Sequence, residues 1–287
     1  MLLAIDARNR AISAGFLDNG RQGRAGSSAL GGSSTWLARR RLGAIPGRSA
    51  DEYAILFKAL ALEAGEGRSV DSCWMSCVVP ALGAVLARAV DSAFGVALSL
   101  VGPGTKTGVR IRTDVPSEVG SDLVCAAAAA REFVKGPSIV VDFDVAIAFS
   151  AIGRAGDFLG AAIAPGLGTA AEALRANAAL LPGFSLGLSG PEAPFAAIGR
   201  TTAQSLRSGL GIGYAGLVAS IVAKQREELA ALGEADSPEA VQVIGTGDEE
   251  GRELLASLGL GRFVPELVLE GLAVIAARAD TLRKIPV

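Results

Sequence analysis

A chain of 287 residues, half of them apolar and a fifth charged, reads as globular and suffices for one large domain or two of roughly 150 residues. Lys and Arg number 27 against 29 Asp and Glu, a formal charge of -2, so no field of one sign exists to hold nucleic acid or an anionic membrane. The sequence has no histidine, which excludes every Ser-His or Cys-His nucleophile and every imidazole metal ligand and leaves chemistry to carboxylates, Lys, Tyr, hydroxyls and backbone.

In chain order, Leu2 to Ile5 is an apolar run ending in Asp6, and Ala11 to Leu17 is a second one followed by Asp18-Asn19-Gly20, a tight-turn signal. This predicts a strand, a polar loop at residues 6–10, a second strand and a hairpin turn. An opening that meets Asp6 this early lacks the run of about 7–15 apolar residues of a signal peptide. Residues 20–35 are rich in Gly and Ser, and Arg39-Arg40-Arg41 reads as a solvated helix face or loop. Ser49 to Ala64 carries Asp51 and Glu52 early and apolar residues at helical spacing after Tyr53, the pattern of a capped helix. Cys73, Cys77 and Cys125 sit among apolar neighbours and cannot all pair, which predicts buried, inert thiols in a reducing compartment. Val96 to Val101 and Ile139 to Phe143 read as buried strands. The longest uncharged apolar stretches, Phe158 to Ala171 and Ser208 to Ala223, fall short of the ~20 residues a bilayer needs, and a cytoplasmic protein is expected. Asp236-Ser237-Pro238 predicts a turn, and Asp248-Glu249-Glu250 a helix start.

Strands alternating with helices make an α/β chain. Ile139-Val140-Val141-Asp142 repeats the opening Leu3-Ala4-Ile5-Asp6, an apolar strand delivering a carboxylate at its C-terminal end. A strand of this kind leading a hairpin, in duplicate, predicts two ribonuclease-H-like domains of the actin-like ATPase and sugar kinase superfamily. The boundary is expected near Pro116 to Gly120, giving domains 1–117 and 118–287.

A series of motifs then follows in order over nearly the whole chain. They are Leu3-Ala4-Ile5-Asp6, Arg48-Ser49-Ala50-Asp51-Glu52-Tyr53, Ser76-Cys77-Val78-Val79-Pro80 and Gly102-Pro103-Gly104-Thr105-Lys106-Thr107-Gly108. Glu118-Val119-Gly120-Ser121-Asp122, Val140-Val141-Asp142-Phe143, Ile198-Gly199-Arg200-Thr201-Thr202 and Leu269-Glu270-Gly271-Leu272 continue it. With these the chain resembles the type III pantothenate kinases, which phosphorylate pantothenate with ATP at the first step of coenzyme A biosynthesis. The resemblance implies Mg-ATP and a monovalent cation as cofactors.

Several positions depart from the family pattern. Its nucleotide loop, Asp-x-Gly-Asn-Thr, is Asp6-Ala7-Arg8-Asn9-Arg10 here; Asp6 and Asn9 remain as nucleotide-binding candidates, while Arg8 stands where the family has Gly and Arg10 replaces a hydroxyl. The family's Asp-Phe-Gly-Thr-Ala is Asp142-Phe143-Asp144-Val145-Ala146, which keeps Asp142 as candidate cation ligand and sets Asp144 where phosphate is expected. Its Thr-Gly-Gly turn is Thr246-Gly247-Asp248, leaving Thr246 and Gly247 as nucleotide candidates. Gly-x-Asp-Arg is Gly120-Ser121-Asp122-Leu123: Asp122 holds the place of the catalytic base and, with Gly120 and Ser121, of the substrate contacts, but the arginine for the substrate carboxylate is Leu123 and the family's Tyr is Thr113. Thr202 matches the threonine that in the family reaches the neighbour's substrate across a dimer interface, and Gly209, Gly213 and Gly216 suit close approach there.

The resemblance and its departures imply the degenerate subunit of a heteromeric pantothenate kinase with an intact paralogue as partner. Two other readings stand beside it. One is a self-sufficient kinase, dimeric with itself, whose Arg8 and Arg10 clamp phosphate and whose Asp122 is the base. The other is a non-enzymatic regulatory protein acting through a protein partner.

Overall fold

The structure is a computed structural model, and it describes residues 1–18, 36–178 and 196–283. The chain divides into two compact units, Met1–Val134 together with the chain from Glu266 on, and Lys135–Pro265.

The first unit opens with β1 (Leu2–Ala7) and β2 (Ala11–Leu17), an antiparallel pair joined by the residue 8–10 turn. Asn19 and Gly20 of the anticipated hairpin signal lie outside the described residues. β3 (Trp36–Gly43) pairs antiparallel with β2, while β4 (Ser72–Cys77) runs parallel to β1 and β5 (Leu98–Leu100) parallel to β4. The sheet order is thus β3-β2-β1-β4-β5. The expected strand at 96–101 is shorter than its apolar run and half-exposed, since β5 is an edge with one neighbour. The Arg39-Arg40-Arg41 run is neither helix nor loop: it lies on β3, where Arg39 pairs with Glu266 at 3.4 Å and Arg40 with Glu63.

One face of this sheet carries α1 (Ala50–Ala64) and α2 (Pro80–Phe94), around a core of Leu3, Ile5, Phe16, Tyr53, Phe57 and Leu86. The start of α1 is fixed as its sequence predicts. Ser49 and Glu52 form a capping box, the Ser49 hydroxyl accepting from the Glu52 amide and the Glu52 carboxylate from the Ser49 amide. Against the other face lies α7 (Leu267–Arg283), crossing α3 (Ser121–Phe133). The alanines Ala126 to Ala130 of α3 are all buried. Because α3 packs on α7, it belongs with the first unit, and the division falls at Val134/Lys135 where the sequence suggested 117/118.

The second unit repeats the plan. β6 (Ser138–Phe143) and β7 (Ala146–Ile152) form the antiparallel hairpin, β8 (Phe158–Pro165) extends it, and β9 (Gln242–Gly247) and β10 (Arg262–Phe263) add in parallel on the other side, in the order β10-β9-β6-β7-β8. One face is covered by α5 (Thr202–Ala231) and α6 (Glu249–Ser257), with α4 (Leu167–Asn177) beside α5; Phe149, Val218, Val222 and Leu255 are central to that core. The acidic run at 248–250 starts α6 as expected, with Asp248 at the N-cap position.

Ser208 to Ala223 lies inside α5, which at 30 residues is longer than its uncharged stretch suggests. By length and composition α5 is apolar enough to cross a membrane, with a window of mean hydropathy 1.4 that is 28% buried. Its buried residues, among them Tyr214, Val218, Val222 and Leu229, pack on the sheet.

Candidate functional site

Each unit delivers one carboxylate at the C-terminal end of its leading strand, and the sheet register places a hydroxyl beside it. In the first unit Asp6 on β1 lies across from Ser13 on β2 and Ser76 on β4. In the second, Asp142 on β6 lies across from Ala148 on β7 and Thr246 on β9. Directly opposed residues project from the same face, so Asp6 stands beside Ser76 and Asp142 beside Thr246.

The first-unit cluster continues onto α3. The Ser76 and Ser121 hydroxyls are 2.9 Å apart, and the Cys77 amide donates to the Ser121 hydroxyl at 3.1 Å, so the start of α3 is tied to the end of β4. Gly120 is the N-cap residue of α3, and a Cβ there would come within 2.4 Å of Asp122 Oδ1. That oxygen accepts from the Leu123 amide at 2.9 Å, which folds the carboxylate back on the first turn of its own helix. The candidates Gly120, Ser121 and Asp122 are therefore brought together with the β4 end, and Ser76, absent from the sequence-derived candidates, is the link. The strand register that sets it across from Asp6 is not written in the sequence.

Asn9 and Arg10 are exposed on the β1–β2 turn, whereas Arg8 turns inward. Its Nε donates to Asp6 Oδ2 at 2.7 Å, and the two side chains are only 12% and 8% exposed. Among the described residues the one non-glycine with positive φ is Glu266, so Arg8 occupies the glycine's place without left-handed backbone. Any obstruction at this turn comes from the side chain and not from backbone strain. Electrostatically the cluster is felt at Cys125: burial first, then the Asp6 and Asp122 carboxylates, push its thiol well up, while Arg8 and a hydrogen bond from Ser76 pull it down. Burial raises Cys73 and Cys77 as well, and all three cysteines are free thiols.

In the second unit the β6–β7 turn is held by its carbonyls. Phe143 O accepts from the Asp248 amide, and Val145 O from both the Gly166 amide and the Thr169 hydroxyl, each at 2.8 Å. Gly247 is required where it stands: its φ is +100° and a Cβ would sit 2.0 Å from Phe143 O. The N-terminus of α6, an electropositive end that could attract phosphate, begins with Asp248, Glu249 and Glu250. Asp142 and Thr246 are 3% and 1% exposed. Their carboxylate and hydroxyl oxygens are hard donors that fit the cation the resemblance implies, although no group of three or more His, Cys, Asp or Glu able to hold a metal gathers among the described residues. At Asp6 the residues do not suit a metal, because one carboxylate oxygen, Oδ2, already carries the Arg8 guanidinium, whose charge a metal ion would face at close range.

Thr202 is exposed in the first turn of α5, while its neighbour Thr201 is the cap, accepting from the Gln204 amide at 3.2 Å. Gly209, Gly213 and Gly216 are exposed at helical spacing on α5, and a Cβ at any of them would meet nothing within 4 Å. Packing within the unit thus does not account for these glycines. Lys106 lies on a loop structured by its neighbours, with Thr105 Oγ1 accepting from the Gly102 amide and Thr107 Oγ1 from the Val109 amide.

A family model described as type III pantothenate kinase matches residues 2–224. A type III pantothenate kinase of Geobacter sulfurreducens is 36% identical over 279 residues, covering 97% of this chain and 99% of that one. Among solved structures, a conserved Campylobacter jejuni protein assigned to the Baf family of transcriptional activators superposes with a TM-score of 0.56 at 16% identity, covering 97% and 99% of the two chains. A Sinorhizobium meliloti protein assigned as a 2-dehydro-3-deoxygalactonokinase does so with 0.51 at 13%, covering 99% and 100%. At these identities the structures bear on the fold alone, and they agree with the actin-like ATPase and sugar kinase architecture of two duplicated units.

Proposed function

The chain belongs to the type III pantothenate kinase family, and from that premise we propose that it acts in the ATP-dependent phosphorylation of pantothenate, the first step of coenzyme A biosynthesis, as the degenerate subunit of a heteromeric kinase. The observation that carries this reading is a contrast between surfaces. The exposed Thr202 and the glycine face of α5 match what a neighbour's site would need, while the chain's own Asp6–Arg10 turn is occupied by Arg8.

The substrate side supports the same division. Asp122 holds the place of a general base, a role that needs a carboxylate within hydrogen-bond reach of the attacking hydroxyl. Beside it Leu123 offers no cation to a substrate carboxylate, and Thr113 has replaced the aromatic contact. In the second unit Asp144 and the acidic start of α6 set negative charge where phosphate is expected. An intact paralogue would supply the nucleotide turns, base and arginine, and this chain Thr202 and the interface, in the cytoplasm.

ADP release with Mg-ATP and pantothenate, measured for the purified chain alone and again with the paralogue, tests the reading. Silence alone and a rate in the mixture above that of the paralogue by itself supports it. Turnover by the chain alone would favour a rearranged site, and no gain in the mixture would remove the kinase role.

A further inference from the structure

The β1–β2 turn carries its own cation, and we infer that the Arg8 guanidinium stands in for a divalent metal at Asp6, so that this turn excludes a metal-nucleotide complex. The inference rests on the reading that residues 6–10 correspond to the family's nucleotide turn. It adds the device that closes that turn and the one side chain whose removal opens it.

The contact is of the strong kind. Nε and Oδ2 are 2.7 Å apart, within the range of charge-assisted bonds, and both side chains are largely withdrawn from water. Taking one partner away from such a pair leaves a charge with poor solvation, so an entering ligand must replace what it displaces. A divalent cation seeks hard carboxylate oxygen and would have to displace the guanidinium from Oδ2 or share the carboxylate with it against like-charge repulsion. A phosphate drawn to Arg8 would instead meet the Asp6 carboxylate at the same place and be repelled by it. Each half of a metal-nucleotide complex therefore competes for one member of an existing pair.

The closed arrangement is also the relaxed one. The Arg8 amide donates to Ala11 O at 2.9 Å, so the turn is sealed by its own backbone, and no left-handed φ is stored at residue 8. The side chain needs to reach back only from residue 8 to residue 6, at the end of the same strand. Arg8 moreover opposes Asp6 electrostatically at Cys125, as a resident counter-ion should.

Manganese serves as the probe. Free Mn(II) is followed by electron paramagnetic resonance as the purified full-length chain is titrated, with and without ADP, using the natural sequence, Arg8→Gly, Arg8→Met and Asp6→Asn combined with Arg8→Gly. The natural chain should leave the free-ion signal unchanged beyond background. Arg8→Gly should bind Mn-ADP at least about tenfold more tightly, the scale on which one close charge shifts an ionic equilibrium. Arg8→Met, which keeps bulk and removes charge, should gain as well, and adding Asp6→Asn should abolish the gain. Stoichiometric Mn-ADP binding by the natural chain overturns the inference, as does the absence of any gain in both Arg8 variants when circular dichroism shows them folded. Neither readout involves pantothenate or a partner chain, so a failure of the proposed kinase role and a failure here are told apart.

Discussion

Gly271 of α7 lies against the carbonyl of Cys125 in α3, so close that a Cβ on residue 271 would sit 1.9 Å from that oxygen. Ala126 to Ala130 of α3 are all buried, so small side chains ring this helix where α7 crosses it. The Leu269-Glu270-Gly271-Leu272 segment therefore has a structural reading at each end of its centre. Gly271 permits the crossing, and the buried Glu270 carboxylate accepts from the Trp36 indole at 2.7 Å, fastening α7 to β3.

Gly271→Ala should accordingly cost about 1–3 kcal/mol of stability, since an oxygen in the path of the new methyl group belongs to backbone and can yield only if α3 and α7 separate. The midpoint of urea denaturation should fall with little change in slope. An unchanged midpoint would mean that the two helices do not cross as described.

How much of this was legible in the sequence depends on the range of the interaction. The duplicated plan was readable because β1 and β6 each write their burial as a continuous apolar run that ends in Asp6 or Asp142, and the matching sheet orders follow from that repeat. The start of α1 was equally local, since Ser49 and Glu52 lie within one turn. The unit boundary was not local: α3 belongs to the first unit because it is tied to β4 and because α7 returns from the far end of the chain to cover it. Nor could the pattern place Arg39 to Arg41 on a strand, because the charges of Arg39 and Arg40 are met by Glu266 and Glu63 from distant segments. At the candidate site the loss of glycine at residue 8 was visible in the sequence. That the arginine turns inward onto Asp6 was not, because it is a choice of rotamer made by burial.

The thiols offer a test of that burial. Cys73 and Cys125 are buried and their thiols are pushed up by desolvation; the Cys77 thiol is also raised by burial but stands at intermediate exposure. Alkylation requires the thiolate. Iodoacetamide at pH 8 should therefore modify Cys77 slowly and the other two not at all, while all three react in urea; mass spectrometry counts the adducts. The sign of the linked stability follows from the same shift. An acid whose folded pKa lies above its unfolded value contributes fully below the ordinary thiol value of about 8.5 and loses that contribution progressively as pH rises from there to the raised folded value. Prompt labelling of Cys125 in the folded chain would contradict its placement under α7.

The glycines of α5 separate folding from association. Gly209, Gly213 and Gly216 lie on the exposed side of a helix in which a Cβ would meet nothing within 4 Å, so replacing any one by alanine removes backbone entropy from the unfolded chain without a clash in the unit. Gly216→Ala should raise the stability of the isolated chain by roughly 0.5–1 kcal/mol, seen as a higher melting temperature. If that face receives a partner helix or strand at close range, the same methyl group obstructs the approach, and the Gly213→Ala, Gly216→Ala double variant should melt higher alone yet co-elute less with the paralogue on a sizing column. Stabilisation with undiminished association would place the partner elsewhere on the second unit, and destabilisation of the isolated chain would mean that this side of α5 is already in contact within it.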